Sequence, residues 1–151
     1  MITPPLPPGA PRAPQPQEDR LVAAVAHLSF LTGFWVVVPI AIYVLKRKES
    51  RFVAFHALQA VLVQVFFSAV MTLGVGGFFA LVDVAGARRS LGLSKVTLAF
   101  SLIGFALGSL AFFAVHAIAA FRAWRGDGWS IPGIGRLAEA ILGADKGARR
   151  G

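Results

Sequence analysis

The chain has 151 residues, of which 56% are hydrophobic and only 15% charged, where ordinary soluble domains carry about 25% charged residues. Too few polar groups are present to coat a water-facing globule, and the absence of cysteine excludes disulfides and thiolate chemistry. The formal charge of +8 is assigned to lipid headgroups and cytoplasmic loops rather than to nucleic acid, because basic residues collect there in membrane proteins.

Residues 1–19 hold seven of the nine prolines. Such a stretch is short of amide donors and is expected to stay extended or disordered; docking to a proline-binding module is the alternative. It lacks the compact basic start of a signal peptide. The first apolar segment, Leu21–Leu45, carries no charged residue and is followed at once by Lys46, Arg47 and Lys48. About 20 apolar residues suffice to cross a bilayer as a helix, so this segment is predicted to be the first span. Pro39 lies inside it and should kink the helix, freeing the carbonyl of Trp35.

The second apolar segment, Phe52–Val82, is longer than the hydrocarbon requires. It is expected to bend or stop near Gly74, Gly76 and Gly77, or to project beyond the membrane. A polar connection with Arg88, Arg89 and Lys95 leads to the third segment, Val96–Phe121, which ends at Arg122 and Arg125. The turn-rich Gly126-Asp127-Gly128-Trp129 follows. Pro132 to Leu142 then predicts a short amphipathic helix, with Ile131, Ile134, Leu137, Ala138, Ile141 and Leu142 on one face. Too short to span, it is placed in the interface beside Trp124 and Trp129. Residues 144–151 form a basic tail.

The predicted fold is therefore an all-α integral membrane protein: three transmembrane helices within a membrane domain of residues 20–143, plus a C-terminal interfacial helix. Ten of the fifteen basic residues fall in the first loop and the C-terminal region, which predicts a multi-pass cell-membrane protein with its N-terminus outside and its C-terminus cytoplasmic.

Polar residues inside spans are the candidates for function. His27, His56 and His116 fall one per span. On a three-span topology His27 lies about 20 Å from the level of the other two at 1.5 Å per residue, so a three-histidine site is not expected, and neither a metal nor a cofactor is assigned. His56 and His116 are expected to bond backbone, each other or interfacial water. His56 and Gln59 share a helix face; with Gln64 they either glue helices together or line a solute path. Ser68, Ser101 and Ser109 have no base beside them, and no nucleophile-elbow or zinc-protease string occurs, so no catalytic residue is assigned. Gly104 and Gly108 form a GxxxG pair, which serves helix packing within the chain or between two copies.

Two stretches are distinctive: Arg51-Phe52-Val53-Ala54-Phe55-His56-Ala57-Leu58-Gln59-Ala60, and Ala123-Trp124-Arg125-Gly126-Asp127-Gly128-Trp129-Ser130-Ile131-Pro132-Gly133-Ile134-Gly135. Together with Ala26-His27-Leu28 and the Pro39 segment they resemble the Tic-twenty-like family of small bacterial membrane proteins, whose plastid relatives belong to the inner-envelope import machinery. The resemblance implies an accessory subunit related to protein translocation. Its motif positions Phe55, His56, Ala57, Gln59, Trp124, Pro132 and Gly135 would mark one structure on the cytoplasmic side. Arg51, His56, Gln59 and His116 are then docking or packing residues for a partner, which besides lipid is a second copy or another membrane protein. The competing expectation is an oligomeric channel or transporter for a small solute.

Overall fold

A computed structural model describes residues 14–33, 35–87 and 91–148, and all regular structure among them is helical. Five α-helices follow one another: α1 (Gln17–Leu28), α2 (Val37–Lys46), α3 (Arg51–Ala87), α4 (Leu91–Trp124) and α5 (Ile134–Ala148), with a single 3-10 turn, Ser29–Thr32, after α1. Most of the proline-rich leader, together with Arg88, Arg89, Arg149 and Arg150, lies outside the described residues.

Two helices are long and apolar enough to cross a bilayer, Arg51–Val84 and Lys95–Trp124. The expected first span is not a third. Leu21–Leu45 is divided between α1, of 12 residues, and α2, of 10, each about half the hydrocarbon thickness at 1.5 Å per residue. The chain turns back between them. Gly33 takes a left-handed φ of +76° and Trp35 a positive φ of +25°, a backbone state that a continuing helix cannot use. Pro39 then falls in the first turn of α2, where its missing N–H is no loss. The carbonyl of Trp35, expected to be freed inside a kinked helix, instead lies in the turn, 3.3 Å from the Ser29 hydroxyl.

The fold-back brings the start of α1 to the end of α2. Ser50 donates a 2.6 Å hydrogen bond to the Asp19 carboxylate, and Lys46 lies 4.0 Å from Glu18. Arg20 therefore shares an end of the molecule with Lys46, Arg47, Lys48 and Arg51, which corrects the expectation that the first apolar segment separates them.

Helix α3 runs straight through the positions of Gly74, Gly76 and Gly77 without a break. In apolar surroundings a backbone has no water to turn to, so glycine loses its usual helix-breaking advantage. Helix α4 extends several residues beyond both predicted ends, and α5 starts two residues late and runs to Ala148, through most of the expected tail.

The core sits at the charged end. Ala23 and Ala24 of α1 meet Ala120 and Ala123 of α4, and Ala26 meets Ala57 and Ala60 of α3. Small side chains let these backbones approach closely. Helix α5 seats Ala138 and Leu142 against Ala54, Phe55 and Leu58, while Leu137 and Ile141 of the same predicted face remain exposed. Toward the far end, α3 and α4 enclose an apolar groove of about 470 Å³ lined by Met71, Gly74, Phe78, Ser101, Gly104 and Phe105. Leu73 and Phe100 are more than 70% exposed there. An apolar belt of this extent marks a lipid or partner surface rather than a water-facing one.

Candidate functional site

The largest fully buried side chains include His27, His56, His116, Gln59 and Gln64, and these polar groups organise the core. Helix α1 carries His27 at its C-terminal end, α3 carries His56 one turn from its start, and α4 carries His116 two turns from its end. Because α1 reaches only partway along the bundle, the three histidines stand at one level. The expectation that His27 lies far from the other two is corrected: its ring centroid is 5.5 Å from that of His56 and 5.7 Å from that of His116.

The hydrogen bonds define a direction. His56 Nε2 lies 3.2 Å from the carbonyl oxygen of Asp127, which only accepts, so Nε2 carries the proton. In a neutral ring Nδ1 is then an acceptor. His27 Nε2 lies 3.3 Å from that Nδ1 and donates to it. The chain of donation thus runs from α1 to α3 to the loop after α4, and the tautomers follow from the fixed carbonyl at its end. His27 Nδ1 and both ring nitrogens of His116 have no hydrogen-bond partner. Phe112 and Phe30 pack against His116, with ring centroids 4.4 and 5.1 Å away. His56 thus bonds backbone and a second histidine, as expected in kind, although that histidine is His27 rather than His116. Among the described residues no group of three or more metal-ligating side chains is arranged to hold an ion.

One turn along α3, Gln59 acts as a two-pronged clamp. Its Nε2 donates to the Trp129 carbonyl at 3.2 Å, and its Oε1 accepts from the Ile131 N–H at 3.0 Å. An amide carries a donor and an acceptor on separate atoms, so one side chain satisfies a carbonyl and an N–H two residues apart on the loop. Gln64 donates to Ser29 Oγ at 3.3 Å, and Ser29 Oγ donates to the Ala26 carbonyl at 2.8 Å, so the apex of the fold-back is tied to the middle of α3. The residues expected to line a solute path, His56, Gln59 and Gln64, are all fully buried and engaged within the chain.

The loop after α4 is shaped to meet them. Gly126, at φ +82°, ends the helix in a Schellman motif: its N–H bonds the Ala123 carbonyl and the Asp127 N–H bonds the Arg122 carbonyl, both at 2.9 Å. Gly135 is buried beside Ser130, against whose hydroxyl an added Cβ would collide. Of the remaining candidates, Phe55 packs on α5, whereas Arg51, Trp124 and Pro132 are exposed. The glycine pair divides: an added Cβ on Gly108 would meet Met71 Cε at 2.9 Å, while Gly104 opens on the groove.

Two parts of this site were missed from the sequence: Ser29, and the backbone carbonyl of Asp127. The first had a signal. Ser29, Thr32, Gly33 and Pro39 are four chain-turning residues within eleven positions. A carbonyl oxygen has no sequence signature.

Fold and site together define a small all-helical protein with two long apolar helices, a half-length helical hairpin packed at their charged end, and a buried polar knot joining all of them. The chain belongs to the magnetosome magnetite crystal formation protein family (MamF/MmsF), whose family model matches residues 18–138. This corrects the resemblance to the Tic-twenty-like family: the two distinctive stretches, Arg51–Ala60 and Ala123–Gly135, both fall inside the match. No curated protein and no solved structure is found to match the chain.

Proposed function

We propose that this protein is a non-enzymatic component of a membrane in which magnetite crystals form, and that it acts through its place and contacts there rather than by catalysing a reaction. The family match over residues 18–138 carries this reading. The two bilayer-length helices support a membrane location, and the polar side chains of the core support a structural role, since they are spent on holding helices together. In this reading α3 and α4 cross the membrane. The end that gathers Arg20, Lys46, Arg47, Lys48, Arg51, Arg122 and Arg125 faces the cytoplasm, in keeping with the distribution of basic residues in membrane proteins. Both the N-terminal hairpin and α5 then lie on that side.

The test is complementation. The chain is expressed, with a tag, in a magnetite-forming bacterium deprived of its own member of the family. Crystal dimensions measured by electron microscopy should return toward those of the unmodified strain, and the tag should sediment with the crystal-bearing membranes. A tagged protein that reaches those membranes and leaves the crystals unchanged overturns the proposal.

A further inference from the structure

At the charged end, a polar cavity of about 330 Å³ opens between the start of α1, the start of α3 and the loop after α4. Arg20 and Arg125 line it, with Gln15, Phe52, Gly126 and Asp127. Three observations give this cavity a sign. Arg20 stands in the first turn of α1, where the helix dipole disfavours a cation, and its Nε is buried without a hydrogen-bond partner. Neither Arg20 nor Arg125 forms an ion pair among the described residues, in which Lys46 takes Glu18 and Glu49, and Arg122 takes Asp127. The nearby Asp19 accepts a hydrogen bond from the Ser50 hydroxyl and forms no ion pair with Arg20 among the described residues. Asp127, the one carboxylate in the lining, is thus already matched by Arg122 at 3.4 Å.

The backbone is fitted to the arginine. An added Cβ at Gly126 would lie 3.0 Å from Arg20 Cδ, so the same glycine that closes α4 lets the Arg20 side chain pass. A guanidinium held half-buried, lacking a carboxylate, is an unmet demand for an anion with paired oxygens. The Arg125 guanidinium rests 5.7 Å from the exposed Phe121 ring. Trp124, which precedes Arg125 and is 58% exposed, is the residue type that settles at headgroup depth.

We infer that this cavity binds a phosphate group, and that its source is the phosphodiester of an anionic phospholipid, clamped between Arg20 and Arg125 with the glyceryl end against Phe52. Basic pockets between helices on the cytoplasmic side of membranes take headgroups of this kind. The site would tie the N-terminal hairpin, through α1, to the leaflet and to the α4 loop at one point. It does not depend on the magnetite reading; it requires only that this end of the bundle meets lipid headgroups.

The full chain is placed in nanodiscs of phosphatidylcholine with or without phosphatidylglycerol, and retained lipid is counted by native mass spectrometry. Wild type should retain phosphatidylglycerol selectively, and Arg20→Gln with Arg125→Gln should weaken retention roughly tenfold, the loss of charge-assisted bonds. Arg125→Gln alone alters an exposed residue, leaves the fold intact and should give part of that loss. Arg20→Lys should not restore it, because an ammonium lacks the planar fork. Lys48→Gln, outside the cavity, should retain lipid as wild type does. Equal retention of the two lipids by wild type, or equal retention by wild type and the double variant, overturns the site. Inorganic phosphate titrated into phosphatidylcholine nanodiscs separates the sources: Arg20-dependent binding of free phosphate as tight as that of the phospholipid overturns the lipid assignment.

Discussion

His27 Nε2 donates to His56 Nδ1 across 3.3 Å, although 29 positions of sequence separate them. The bond exists because α1 ends where it does, and it fixes α1 against α3 at a level where neither ring meets solvent. Replacing His56 by Phe keeps most of the volume but strands the His27 donor and the Asp127 carbonyl, each at a cost of about 1–3 kcal/mol. Replacing both histidines strands only the carbonyl. A double-mutant cycle of His27→Phe and His56→Phe, read from unfolding in micelles, should therefore show coupling. Interhelical hydrogen bonds in membranes average about 0.6 kcal/mol and reach about 1.7, so a coupling of that size is expected. Strictly additive losses would mean the two rings merely coexist.

The Gln59 clamp predicts a local rather than a global effect. Gln59→Leu leaves the Trp129 carbonyl and the Ile131 N–H unpaired, while the helices on either side keep their own bonds. Amide exchange at Ile131 should accelerate by one to two orders of magnitude, on the basis of about 1–3 kcal/mol for a buried group left unsatisfied. Exchange in the middle of α3 should not change. Gln59→Glu retains the acceptor and loses the donor, so it should preserve the Ile131 bond in part. Acceleration spread evenly along α3 and α4 would show that Gln59 supports the bundle as a whole.

Much of this was legible in the sequence, and the part that was not has a definite cause. Helical content and the α2–α3 break at Lys46–Arg51 follow from charge and spacing. The fold-back does not. Hydropathy counts apolar residues, and a helix that crosses a bilayer has the same count as two that enter and leave by one face. Ser29, Thr32, Gly33 and Pro39 are each tolerated singly in membrane helices, so only their clustering carried the signal. The misplacement of His27 followed directly, since depth was inferred from the assumed crossing. Gln59 stands out in the sequence as a polar residue in an apolar span, but its partners, one backbone carbonyl and one N–H, belong to a loop whose path depends on the Gly126 turn.

The fold-back has a topological consequence that the cysteine-free sequence makes simple to measure. Single cysteines at Gln17, Lys48 and Glu139, each exposed, should all react with a membrane-impermeant maleimide added from the cytoplasmic face of inverted vesicles. A cysteine at Asp83, near the far end of α3, should react only from the opposite face. Gln17 and Lys48 reacting from opposite faces would restore a third crossing.

Gly135 offers a steric test of the loop after α4. A methyl group there meets Ser130 Oγ in direct collision, its Cβ at 2.9 Å and its Cα at 3.2 Å. Gly135→Ala should therefore destabilise the protein by about 1–3 kcal/mol, the usual range for overpacking, despite the gain in helix propensity. Ser130→Gly removes two of the three atoms in the way and should recover much of the loss in the double variant, whereas Ser130→Ala removes only one and should recover less. Equal rescue by the two would show that the strain lies elsewhere.

The glycines of the GxxxG pair should behave differently from each other. Gly104 has open space where a Cβ would stand, so Gly104→Ala gains the propensity difference between glycine and alanine, about 0.8–1.0 kcal/mol, with nothing to offset it in the single chain. Gly108→Ala presses on Met71 Cε, the mobile end of a flexible side chain that can rotate away, so its gain should be smaller. Gly108→Ile, too large for that adjustment, should push α3 and α4 apart and lower the unfolding midpoint, while Gly104→Ile should not. If Gly104→Ile instead shifts the species seen by light scattering in detergent, the groove beside it is where a second copy packs. Identical responses at both positions would mean that α3 and α4 do not meet at Gly108 as described.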